Sequence, residues 1–199
     1  MLVKQTRRPG QSRRSGTAAT ARHNPRMDDE PLVRAMPRRP LYALNGFISR
    51  IDLAVLTAVD EDGWCATRSA IAADVDSKEV RLAVVLVRRS PGGPEGLVRA
   101  GVLAHATDIG PETSGLPGLK AVAKGLADGV APGLARGVEM AGYLNDDADP
   151  ELRRTFVLVY RALVPPGTAA PEGQEWIAGK ALAAAALEPL SARVAGSVA

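Results

Sequence analysis

The sequence predicts one α/β or α+β domain, a mixed sheet whose faces are covered by helices, behind a basic leader. Three observations predict it. Short apolar runs rich in Val, Ile and Leu alternate with turn signals and two segments of helical character from residue 41 onward. The 199 residues are 46% hydrophobic and 24% charged, enough for one domain with a core and too few for two. Residues 1–40 hold ten Lys/Arg against three acids and no hydrophobic period, so the formal charge of +3 is a basic leader on a mildly acidic body.

Residues 1–38 are expected to be disordered, because a segment of Arg, Pro, Ser and Gly cannot bury enough surface to offset its ordering entropy. The domain is expected to run from 39 to 199. Residues 51–59 (IDLAVLTAV) are a short apolar run ending in an acidic turn, which predicts a strand. Asp62-Gly63 then reads as a hairpin tip, with 64–69 pairing back. Residues 79–89 (EVRLAVVLVRR) are apolar on both faces, as in a central strand. Two prolines and three glycines predict a loop at 90–96, and 97–106 reads as another strand. Residues 119–130 have helical period, with Leu119, Val122, Ala123 and Leu126 on one stripe, and Pro132-Gly133 closes that helix. Strands are expected at 134–144, 153–164 and 174–178, and an Ala-rich C-terminal helix over 180–198, kinked or broken at Pro189.

Several functions are excluded or disfavoured. Aromatics at 4% make a poor stacking platform for single-stranded nucleic acid. No apolar run reaches the roughly 18 residues of a bilayer span, and the N-terminus lacks an apolar signal region. A single cysteine excludes an intramolecular disulfide and a Cys-rich zinc site, which points to the cytoplasm. Neither common Gly-rich phosphate loop is present. The leader's arginines would bind nucleic acid through phosphate neutralisation, or be a solvated leader only.

Few residues could carry chemistry. His105 ends an expected strand, where a histidine is either structural or a pocket residue. Cys65 reads as a buried, inert thiol. Asp146, Asp147 and Asp149 are spaced like oxygen ligands of a hard cation but lack the sharp-turn Gly and distal Glu of a calcium loop, so they read as a solvated turn with Asx caps. Asp60, Glu61 and Asp62 read as a charged hairpin tip. Asp108, Glu112 and Asp128 are the carboxylates around the interior helix and its lead-in loop.

The segment GYLNDDADPELRRTFVLVYRALVPPG (142–167) resembles a branch of the Nudix superfamily, in which such an Asn-Asp-Asp loop precedes a strand. VLVRRS (85–90), LAHATDIGPE (103–112), the helix 119–130 and EPLSARVA (188–195) stand in the matching order. The resemblance covers about residues 40–199 and implies a Nudix-like α/β/α sandwich with a mixed sheet, one interior helix and a C-terminal helix. It implies a hydrolase of phosphoanhydrides in nucleoside-diphosphate derivatives, with Mg²⁺ or Mn²⁺ held by glutamates on one helix face. The box is degenerate here. Lys124 stands at the box arginine, Asp128 at one glutamate, and Gly125 and Gly129 at the other two; Thr155 replaces a later histidine. His105 stands at the family's Gly-Gly-His position, behind Ala104.

Three readings follow. In the first, the fold persists, catalysis is weakened or lost, and the domain binds a nucleotide or a partner. In the second, Asp108, Glu112 and Asp128, with Glu139 in support, hold Mg²⁺ or Mn²⁺; Asp128 and Glu112 are then catalytic, and Lys124 and His105 contact substrate. In the third, the body does no chemistry and the leader docks nucleic acid. The expected partners are a nucleotide, nucleic acid only through the leader, no membrane, and a second copy in a homodimer.

Overall fold

The computed structural model describes residues 30–198; most of the expected leader, residues 1–29, lies outside them. In chain order the elements are β1 (Leu32–Pro37), a 3-10 turn (Arg39–Leu41), β2 (Gly46–Ile48), α1 (Leu53–Glu61), β3 (Trp64–Thr67) and α2 (Arg68–Ala73). β4 (Ser77–Ser90), β5 (Gly93–Val98), β6 (Ala104–Asp108), α3 (Gly115–Val130), β7 (Gly137–Asn145) and β8 (Thr155–Val164) follow. β9 (Glu175–Ala178), α4 (Gly179–Leu182), α5 (Pro189–Val194) and a second 3-10 turn (Ala195–Val198) complete the described chain. No helix among the described residues is long and apolar enough to cross a membrane.

The strands form one mixed sheet. Its main path runs β2-β7-β8-β4-β1-β3. β4 and β8 are parallel, from Glu79↔Thr155 to Arg88↔Val164. Every other pairing is antiparallel. On the edge of β4 away from β8, β1, β6 and β5 attach in succession along its length, and β9 adds to β5.

The alternation of side chains along β4 makes the sandwich. Val80, Leu82, Val84 and Leu86 join Phe156, Leu158 and Tyr160 of β8 against α1 and α3. Ala83, Val85 and Val87 join Val157 and Val159 against Leu182, Val194 and Val198 of the C-terminal segment. Both faces are therefore dry, and the central strand reads as an unbroken apolar run for that reason. β7 carries a bulge between Met140 and Gly142. Gly142 has φ +147°, and a Cβ there would lie 2.1 Å from the Ile48 carbonyl oxygen, so the approach of β2 requires glycine.

The α/β/α sandwich with its interior helix agrees with the sequence reading, and several elements differ. The leader does not extend to 38: residues 32–37 form β1, with Val33, Ala35 and Met36 buried. The strand expected over 51–59 is α1. Its buried residues, Val55, Leu56, Ala58 and Val59, follow helical spacing, and Asp52 caps it by accepting from the Ala54 N–H at 2.9 Å. Residues 64–67 are a strand, but their partner is β1. The expected loop at 90–96 shrinks to a tight hairpin in which Ser90 faces Gly93. Pro94 is accommodated because β9 covers only Glu95–Val98, so its missing N–H costs no bond on that edge. The strand expected over 97–106 is split between β5 and β6. The C-terminal helix is two short helices and a 3-10 turn, and Pro189 starts α5, where a missing N–H is harmless.

Candidate functional site

The helix on which the resemblance places its metal ligands is α3. Leu119, Ala123 and Ala127 recur every four residues and are buried against the sheet. Its first N–H groups have no side-chain cap from Ser114; Asp60 of α1 serves instead, its Oδ1 accepting from the Gly115 N–H at 2.9 Å. Asp60 therefore belongs to a helix end and not to a hairpin tip. On the outer side of α3, Lys124 is exposed and Asp128 half-buried. Gly125 and Gly129 are exposed, and a Cβ on either would meet nothing within 4 Å. The positions of two expected glutamates are open space.

The lead-in segment places the other candidates. Asp108 ends β6 and is taken up by two guanidiniums, Arg68 at 2.8 Å and Arg81 at 3.2 Å. Arg68 also grips Glu79 through two bonds of 3.1 Å. Glu79 and then Asp108 push the Arg68 pKa upward, so the guanidinium is fixed in its charged form. Two arginines and two acids thus balance in a square, with no carboxylate charge left over. Glu112 is exposed, its carboxyl folded back so that a Cβ on Gly110 would lie 2.5 Å from it. Among the described residues, Asp108, Glu112 and Asp128 are not brought into a group that could hold a metal ion, and no other three of His, Cys, Asp and Glu are. The donor set does not fit a divalent cation.

His105 lies on β6 opposite Val84 and so faces the α3 side of the sheet. It is half-buried in a cleft of about 610 Å³ that also holds Arg81, Leu126, Gly129, Glu151 and Glu188. Burial, and then Arg99, pull its pKa below the ordinary imidazole value, against a weaker pull from Glu188. These surroundings favour the neutral imidazole, a hydrogen-bonding group, over the cation. The structure brings His105 together with the outer face of α3, and leaves Lys124, Asp128, Asp108 and Glu112 out of the cleft lining.

The Asn-Asp-Asp loop that carries the resemblance is structural. Asn145 donates its amide to the Leu41 and Leu44 carbonyls at 3.3 and 2.8 Å, and its Oδ1 accepts from Lys78 Nζ at 2.6 Å. Lys78 is fully buried, with Asp147 3.0 Å away; Asp147 also pairs with Arg38. Desolvation holds the Lys78 pKa below its usual value. Asp146 is buried, not solvated as the sequence suggests. It closes an Asx turn onto the Ala148 and Asp149 N–H groups and faces Arg193 at 3.1 Å. Glu139 pairs with Arg161 at 3.0 Å on β7 and β8. Cys65 is half-buried on β3, not fully buried. Sequence reasoning missed Lys78 and Arg34. Arg34 is buried and donates to the Val59 and Thr113 carbonyls at 3.2 and 2.6 Å, tying α1 to the lead-in of α3. Alternation along a strand hides such residues, because a long cation there reads as solvent-facing.

No protein-family model and no curated protein sequence matches the chain. Solved structures do. Tm1382, assigned as a Nudix hydrolase, superimposes with a TM-score of 0.61 at 17% identity, over 83% of this chain and 96% of its own. C. elegans Ap4A hydrolase matches at a TM-score of 0.39 and 11% identity, over 59% of this chain and 93% of its own. A Nudix hydrolase from M. smegmatis, RenU, matches at 0.34 and 18%, over 58% and 81%. The likeness to Tm1382 is one of fold: this chain has a Nudix-like fold.

Proposed function

We propose that this chain is a Nudix-like binding domain in which metal-dependent cleavage of phosphoanhydrides is lost or strongly weakened and a nucleotide ligand is retained. One observation carries the reading: α3 offers a half-buried Asp128 flanked by two glycines that open on empty space. Cleaving a diphosphate linkage requires divalent cations to neutralise its oxygens and to acidify the attacking water. Two such ions bring four positive charges, and one short carboxylate cannot hold them. Asp108, the acid at the end of β6, is already paired with Arg68 and Arg81, so recruiting it would leave two guanidiniums to share Glu79 alone.

What remains supports binding. The cleft joins His105, apolar Leu126 and the glycine surface of α3, open to a ligand's close approach, with Arg81, whose charge Asp108 and Glu79 share, and with Glu151 and Glu188 on its lining. The test is a pair of measurements on the purified chain with ADP-ribose as probe. The ligand is expected to raise the thermal midpoint in a saturable way, and Mg²⁺ or Mn²⁺ to give no phosphoanhydride cleavage above the protein-free rate. Metal-dependent turnover that disappears in Asp128→Ala would overturn the reading in favour of a reduced carboxylate set.

A further inference from the structure

A second recess lies at the far end of the sheet, on the face away from α3. Register places Val87 and Arg89 of β4 beside Arg161 and Leu163 of β8 on this face, because Val85 faces Arg161 and Val87 faces Leu163. The C-terminal segment covers the face as far as Val198, which is buried, whereas Leu163 is 41% exposed. The result is a trough of about 680 Å³ with an apolar floor of Val87, Leu163, Val198 and Pro94. That volume suits a small molecule.

Its charges are not balanced. Arg88 turns to the other face, where it pairs with Glu95 at 2.6 Å and stacks on Trp176 at 4.6 Å. Arg161 pairs with Glu139 at 3.0 Å. Arg89 is exposed beside the floor, and among the described residues no carboxylate pairs with it. Among the described residues the trough therefore has one surplus positive charge, that of Arg89, borne on a planar fork next to an apolar surface.

We propose that this trough binds a small organic carboxylate with an apolar body. The carboxylate lies on Arg89 in the bidentate geometry that guanidinium favours, and the hydrocarbon covers Leu163 and Val87. A phosphate monoester is the poorer fit. Its second charge has no surplus cation to meet and is repelled by Glu139 on the rim.

Sodium octanoate, titrated calorimetrically into the full chain, tests the assignment. One equivalent is expected to bind, about tenfold more tightly than 1-octanol, as one charge-assisted pair contributes. Arg89→Gln is expected to remove that advantage while leaving octanol unchanged, and the exposed Arg50→Gln to change neither. Amide shifts should centre on Val87, Leu163 and Val198. Octanoate and octanol binding alike, tighter binding of octyl phosphate, an Arg89→Gln chain with undiminished octanoate affinity, or shifts centred on His105 would each overturn it.

Discussion

Asn145 shows how a single side chain is committed when every polar atom it owns is buried. Its amide satisfies two carbonyls of the 39–44 turn, and its oxygen is the acceptor for a fully buried lysine. Removing it leaves a buried ammonium and two carbonyls short of partners. Asn145→Ala is therefore expected to destabilise the fold by about 2–4 kcal/mol, read from urea unfolding, with no loss of any ligand contact. Asn145→Asp keeps the acceptor for Lys78 but removes the donors to Leu41 and Leu44, and should fall between the two. The sequence makes this loop conspicuous without revealing its job. Three acidic or amide residues in a row are what a cation loop also shows, and only the tertiary placement of Lys78, Leu41 and Arg193 distinguishes a keystone from a ligand set.

Among the elements, those with one strong local pattern are legible and those fixed by distant partners are not. β4, β8 and α3 appear in the sequence because their periodicity is long and continuous. α1 does not, since an apolar stretch of nine residues suits either a strand or a buried helix, and Asp52 as a cap is the signal that decides it. β1 hides inside a basic segment because Arg34 points inward and is paid for by backbone carbonyls rather than by an acid. α3 also bears a measurable defect. Gly125 and Gly129 sit in open helix surface with nothing for a side chain to strike. Gly125→Ala and Gly129→Ala are each expected to stabilise the chain by about 0.5–1 kcal/mol, seen as a higher urea midpoint at unchanged slope. A helix that gains from losing its glycines, with nucleotide affinity unaltered, would mean that they mark a ligand set lost rather than a backbone contact kept.

For the whole molecule, the boundary at which the fold begins is a prediction in itself. β1 pairs with both β3 and β4, and buries Val33, Ala35 and Met36. A chain starting at Arg39 is expected to lose its cooperative unfolding transition and its dispersed amide spectrum, whereas a solvated leader ending at 38 would be removable without effect. The candidate site was the least legible part. The Arg68–Asp108 pair joins residues forty positions apart, and no local pattern announces that an acid beside the box helix is already neutralised. The parallel partnership at the middle of the sheet has a further consequence in time. Residues 79–88 are synthesised well before their neighbours at 155–164. Until those arrive, one flank of β4, with its buried run from Leu82 to Val87, stands open and invites self-association. Closure over so long a separation makes for slow folding, and leaves the nascent chain dependent on protection while it waits.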